Sequence, residues 1–183
     1  MFNLVTLDGF FAGPNGEIDW HNYDEEMGGY SIEQLKSLGA LMFGRTTYDI
    51  MASYWPTPEA ARGEAQVADM MNNIPKIIFS KSIQEVKDGP RWKNVRLFHE
   101  IKPEEIMELK REDQGDIAIF GSGTIVQQLA NLNLIDEFRV IINPLLLGNG
   151  KPLFKGVKNK LKLVKTRVFA NGNVLLCYKP ATN

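Results

Sequence analysis

The chain has 183 residues, 44% hydrophobic and 23% charged, a length that buries a core without disulfides or a structural metal. Twenty-one Lys plus Arg against 22 Asp plus Glu leave a net charge of -1, which excludes a global field that recruits nucleic acid or an anionic membrane; any anion site has to be local. The single cysteine, Cys177, lies in the apolar run VLLCY as an inert buried thiol and permits no internal disulfide, which fits a reducing compartment. With no basic leader region and no apolar stretch of membrane-spanning length, a cytoplasmic protein is expected.

Phe2 to Thr6 reads as a first strand, and the Gly/Pro/Asn-containing segment LDGFFAGPNGEIDW, Leu7 to Trp20, as a loop long enough to be functional. Glu25 to Leu38 has helical spacing, with Ile32 and Leu35 on one face and Gly39 as its stop. Ala40 to Phe43 is a short buried strand; after Gly44 a helix runs to about Tyr54 and stops at Trp55-Pro56. A helix over Ala60 to Met71, strands at Lys76 to Ser80 and Val95 to Phe98, and a helix over Pro103 to Arg111 with proline in its first turn follow. Ile117 to Leu129, IAIFGSGTIVQQL, is a strand, a glycine turn and a helix start. Phe138 to Ile142, Leu161 to Phe169 and Asn171 to Tyr178 are strands, the last two joined as a hairpin through Ala170-Asn171-Gly172-Asn173. The alternation predicts one α/β domain over residues 1–183, with a mostly parallel mixed sheet and an antiparallel C-terminal hairpin.

Two segments carry chemistry. In IAIFGSGTIVQQL two glycines let backbone N–H groups approach a ligand, and a helix begins with unpaired N–H groups and partial positive charge, an arrangement that favours phosphate. LMFGRTTY, Leu41 to Tyr48, repeats the pattern and adds Arg45, Thr46 and Thr47. A ligand-free strand-to-helix turn accounts equally well for either segment alone; the pair together suggests a dinucleotide pyrophosphate. Neither has the Gly-x-Gly-x-x-Gly fingerprint and no Walker lysine follows, so Rossmann and P-loop readings lack support.

In order and spacing, LDGFFAGPNGEIDW, LMFGRTTY, KIIFSKS, IAIFGSGTIVQQL and INPLLLGNGKPLF resemble the dihydrofolate reductase superfamily, closest to the branch of the riboflavin-biosynthesis reductase domain. The resemblance implies a three-layer dihydrofolate reductase-like fold and an NADPH-dependent oxidoreductase. It implies that Gly44, Arg45, Thr46 and Thr47 bind the pyrophosphate and approach the adenosine 2'-phosphate, with Ser80 and Lys81 completing that pocket. Phe120, Gly121, Ser122, Gly123, Thr124 and Ile125 would hold the other side of the pyrophosphate, and Leu7, Asp8 and Ala12 the nicotinamide, under a lid ending at Trp20.

On the substrate side, Asp24, Glu25 and Glu26 follow Trp20 where the resemblance places an acidic group that binds substrate; Asp24 and Glu25 are the catalytic candidates. Each reads more readily as a helix-start residue that favours the dipole than as a substrate ligand. Trp20 and the turn Gly148-Asn149-Gly150-Lys151 are candidates for holding substrate, the turn through backbone N–H groups and the lysine. His21 and His99 are far apart and no metal-ligand spacing exists, so no metal is expected; Ser122 lacks the context of a hydrolase nucleophile. The expected function is reduction of a small polar substrate, a ribosylaminopyrimidine phosphate ahead of a pterin. The contrary class is a non-catalytic nucleotide-binding or interaction protein on the same fold. A homodimer through PLLLG and the C-terminal strands is expected.

Overall fold

The computed structural model describes residues 1–86, 89, 91–112 and 115–181. The elements run β1 (Phe2–Thr6), β2 (Phe10–Ala12), α1 (Glu25–Lys36), β3 (Leu38–Gly44), α2 (Arg45–Tyr54), α3 (Pro58–Gly63), α4 (Ala65–Asn73), β4 (Lys76–Phe79) and β5 (Val95–Phe98). Then come α5 (Pro103–Arg111), β6 (Asp116–Ile119), α6 (Gly123–Asn131), β7 (Phe138–Asn143), β8 (Lys151–Pro152), β9 (Leu161–Val168) and β10 (Val174–Pro180). They fall into two compact units, Met1–Gly28 with Gly123–Asn183, and Gly29–Ser122. Among the described residues no helix is long and apolar enough to cross a membrane.

The second unit holds a fully parallel sheet in the order β5-β4-β3-β6. Strands β3 and β4 are apolar runs buried over most of their length, as a sheet covered on both faces requires. Leu41, Phe43 and Ile78 from the sheet pack with Tyr48, Val67, Met71 and Trp92 into one core. The chain passes outward from β3 to β4 and β5, then returns to lay β6 on the opposite side of β3. That reversal makes the carboxyl ends of β3 and β6 a topological switch point, the place where parallel sheets of this kind ordinarily bind ligands.

The first unit holds a mixed sheet, β1-β7-β10-β9, in which β1 and β7 are parallel and the last two pairings antiparallel. The α/β class, with parallel strands and an antiparallel C-terminal hairpin, is therefore as expected.

Local differences have identifiable causes. Helix α1 ends at Lys36, and Gly39, expected to stop it, lies inside β3. There the register with β6 shifts, and a Cβ built on Gly115 would come within 2.7 Å of the Gly39 nitrogen, so the glycines mark a bulge where backbones touch. The helix expected over Ala60 to Met71 is two helices that part at Glu64, and Thr57 caps the first through Ala60 N–H. The loop Leu7 to Trp20 contains β2, paired with β8; these strands of three and two residues are too short to show a periodic pattern.

Candidate functional site

Within the second unit, the residues expected to bind phosphate gather along the carboxyl edge of the sheet. Gly44 ends β3, Ser80 follows β4, and Phe120, Gly121 and Ser122 follow β6; Phe120 N–H donates to Met42 O at 3.2 Å and Ser80 N–H to Phe98 O at 2.9 Å, which prolongs the ladders to this edge. Gly44 is the N-cap of α2 and supplies no side-chain cap to the first-turn N–H groups, beside which Thr46 and Thr47 stand.

The two glycine turns are fastened together. Gly44 N–H donates to Ser122 Oγ at 2.7 Å, and Ser122 Oγ donates to Thr47 Oγ1 at 2.8 Å. Gly121 has φ +57, and a Cβ there would stand 3.1 Å from Thr47 Cγ2, so glycine is favoured both by conformation and by the tight approach.

Arg45 projects from the first turn of α2. Its Nη1 donates to Ser82 Oγ at 2.7 Å and its Nε to Asp49 at 3.4 Å, a partly exposed guanidinium held in place yet open to an anion. The nearest hydroxyl differs from the one expected. Buried Ser80 turns its Oγ to the N–H groups of Ser82 and Ile83 and shapes the turn, while exposed Ser82 meets the arginine. Lys81 is exposed in the same turn, and His99 Nδ1 donates to the Ser80 carbonyl at 3.0 Å.

Within the first unit, Leu7, Asp8, Ala12, Gly148, Gly150 and Lys151 come together around the β2–β8 ribbon. Asp8 accepts from the Thr6 hydroxyl, from Gly148 N–H at 2.8 Å and from Leu147 N–H at 3.3 Å. The Thr6 bond foremost, then the two amides, hold its carboxyl below the ordinary aspartate value against the opposing effect of desolvation. One amide of the turn expected to hold substrate phosphate, that of Gly148, and the Leu147 amide just before it thus already face a carboxylate, which repels a second anion. Gly150 sits so close that a Cβ would lie 2.6 Å from Ala12 O. Leu7 is 64% exposed, and its N–H donates to Leu145 O.

Gly123, Thr124 and Ile125 form the first turn of α6. A Cβ on Gly123 would lie 2.5 Å from the Phe11 ring, so that glycine is explained by an aromatic neighbour within the protein. Gln127 of α6 donates to the carbonyls of Pro152 and Leu153 and ties the helix to β8.

The acidic run after Trp20 has contacts of its own within the first unit. Trp20 is half-buried; its indole N–H donates to Glu17 O and its ring stands edge-on to His21. Asp24 caps α1 by accepting from Met27 N–H at 2.9 Å, Glu25 is exposed, and Glu26 accepts from Ala170 N–H and Arg167. Those two bonds, the Ala170 amide first, lower the Glu26 carboxyl pKa. Asn22 fixes the entry to this helix: its N–H donates to Asn143 Oδ1, its Nδ2 to Asn171 O, and its own carbonyl accepts from Asn173 Nδ2 at 2.7 Å. Sequence reading missed Ser82, Phe11 and this asparagine cluster; the serine of SKS was the one legible signal among them.

Comparison with known proteins follows the same lines. Residues 1–175 match the family described as the RibD C-terminal domain. The uncharacterized protein YyaP of Bacillus subtilis (strain 168) is 35% identical over 176 residues, covering 95% of this chain and 90% of that protein. Among solved structures, a putative riboflavin biosynthesis protein from Shewanella sp. PV-4 aligns with TM-score 0.74 at 24% identity, covering 99% of this chain and 97% of that one. Dihydrofolate reductase from Enterococcus faecalis, complexed with NADP(H), aligns with TM-score 0.66 at 16% identity, covering 99% and 95%. These likenesses show the fold.

Proposed function

We propose, from the premise that the chain belongs to the RibD C-terminal domain family, a family of reductases, that it is an NADPH-dependent reductase of a small polar substrate. The observation that carries this reading is the carboxyl edge of β4, β3 and β6, where three turns meet at the reversal of strand order. The donor set fits the cofactor. The uncapped first turn of α2, with Thr46, Thr47 and Gly121, suits a pyrophosphate, and Arg45 with the Ser80-Lys81-Ser82 turn suits the 2'-phosphate that distinguishes NADPH from NADH. When bound, NADPH supplies a hydride; the protein binds, orients and shields it from water. Leu7 and Ala12 are proposed to line the nicotinamide, the segment up to Trp20 to close as the lid, and Glu25, the exposed member of the acidic run, to orient the substrate.

The proposed acceptor is the ribosylamino group of a pyrimidine phosphate, with Lys151 as its phosphate contact and a pterin as the second choice. One observation favours the non-catalytic alternative: two of the three carboxylates after Trp20 are engaged by the protein's own backbone. We also propose that the protein is cytoplasmic and a homodimer.

Titration with NADPH, NADH and NADP+, followed by thermal shift or tryptophan fluorescence, tests the reading. A clear preference for NADPH is expected, and Arg45→Ala should weaken its binding by about 1 to 3 kcal/mol, the range for a hydrogen bond to a charged group. An equal response to NADH removes the roles of Arg45, Ser80 and Lys81; no response to any of the three removes the reductase. Binding without NADPH oxidation across a panel of carbonyl, imine and heterocyclic substrates favours the non-catalytic alternative.

A further inference from the structure

Ser122 stands in an unusual backbone position. Its φ is +56, a left-handed conformation that glycine adopts freely and serine at a cost, and its side chain is buried. What offsets that cost is the hydroxyl, which accepts from Gly44 N–H and donates to Thr47 Oγ1. Thr47 is the third residue of α2, seated against Gly121, where a Cβ would lie 3.2 Å from its Oγ1.

We infer that Ser122 is a positioning residue that aims the Thr47 hydroxyl at a phosphate oxygen of the dinucleotide, an inference that rests on the NADPH reading above. A hydroxyl has one hydrogen to donate and lone pairs to accept with. Ser122 commits its hydrogen to Thr47, so it has none left for a phosphate. Thr47, having accepted from Ser122, keeps its own hydrogen for another acceptor, and it stands in the uncapped first turn of the helix. In a chain of this kind each bond polarises the next, so the amide of Gly44 strengthens the donor at the far end. Ser122 therefore acts on the bound anion through Thr47.

The test is a double-mutant cycle of Ser122→Gly and Thr47→Val, with Kd for NADPH measured by calorimetry and exchange of the Gly44 amide measured without ligand. Glycine relieves the left-handed backbone, so Ser122→Gly removes the hydroxyl without threatening the fold. The expected results are a Kd raised about threefold to fivefold by Ser122→Gly, about tenfold by Thr47→Val, and no further loss in the double variant. Thr47→Ser, which keeps the hydroxyl, retains the sensitivity to Ser122→Gly. Gly44 amide exchange accelerates in Ser122→Gly even without nucleotide. If Ser122→Gly weakens binding equally with and without the Thr47 hydroxyl, or leaves Gly44 exchange unchanged, the relay is overturned while the NADPH reading stands. A wild-type protein that binds no NADPH overturns both.

Discussion

Among the described residues, His21 is the one whose burial shifts its pKa furthest. Its Nε2 is buried without a hydrogen-bond partner, its ring lies 4.5 Å from that of Trp20, and burial pushes its pKa down to about 4. A histidine whose folded pKa lies below its unfolded value contributes stability that is present above about pH 6.5 and is lost as pH falls toward 4, because the unfolded chain takes up the proton first. The loss across that window amounts to at most about 3 kcal/mol. His21→Phe should therefore flatten the fall in melting temperature between pH 6.5 and 4, and parallel curves for the two proteins would refute the assignment. Asp8, Glu17 and Glu26 have lowered carboxyl pKa values, so their contributions fade at the acid end of the range in both proteins. At this scale the sequence is legible where a residue's role is local. Gly44, Arg45 and Gly121 announce themselves by standing between a strand and a helix start. Asp8 does not, because its partner Gly148 is 140 residues away, and Ser82 is recognised only through a guanidinium 37 residues earlier.

The same limit operates on whole elements. Strong apolar runs and helical spacings were legible: β1, β5 and α5 have the bounds expected of them. Elements defined by a distant backbone were not, which is why β2 and β8 escaped notice and Gly39 passed for a helix stop. A glycine that ends a helix and one that admits a neighbouring strand look alike in sequence; only the partner separates them. Two substitutions turn this into a measurement. Gly150→Ala drives a methyl group against the Ala12 carbonyl, a backbone atom that cannot swing aside, and should destabilise by about 1 to 3 kcal/mol. Faster exchange of the backbone amides of β2 and β8 would show that the damage lies in that ribbon. Gly29, inside α1 with nothing within 4 Å of a built Cβ, should behave in the opposite way, Gly29→Ala raising stability by about 0.5 to 1 kcal/mol. Thermal denaturation of the two variants decides; a stable Gly150→Ala would mean that the ribbon yields without strain.

At the scale of the molecule the exposed edge of β9 offers a surface for a second copy. It is the last strand in its sheet, paired with β10 on one side only, and all its residues but Arg167 are exposed. Leu163 is 48% exposed, Val164 55% and Val168 72%, an apolar content that an isolated edge strand ordinarily replaces with charge. Lys162 and Lys165 protect the edge against indiscriminate pairing, yet they permit one arrangement with a second copy. Antiparallel pairing about a two-fold axis through Val164 sets Lys162 opposite Thr166, Leu163 opposite Lys165 and Leu161 opposite Arg167, so that no two like charges face each other. Val164→Lys places two lysines face to face on that axis, where like charges directly opposite are destabilising by up to about 1 kcal/mol. Because Val164 is exposed in the single chain, the substitution should leave the melting temperature of the monomer unchanged while raising the dimer dissociation constant about fivefold, as read by light scattering across a concentration series. A dimer that withstands Val164→Lys lies on another surface, and a wild-type protein monomeric at tens of micromolar concentrations would remove the dimer altogether.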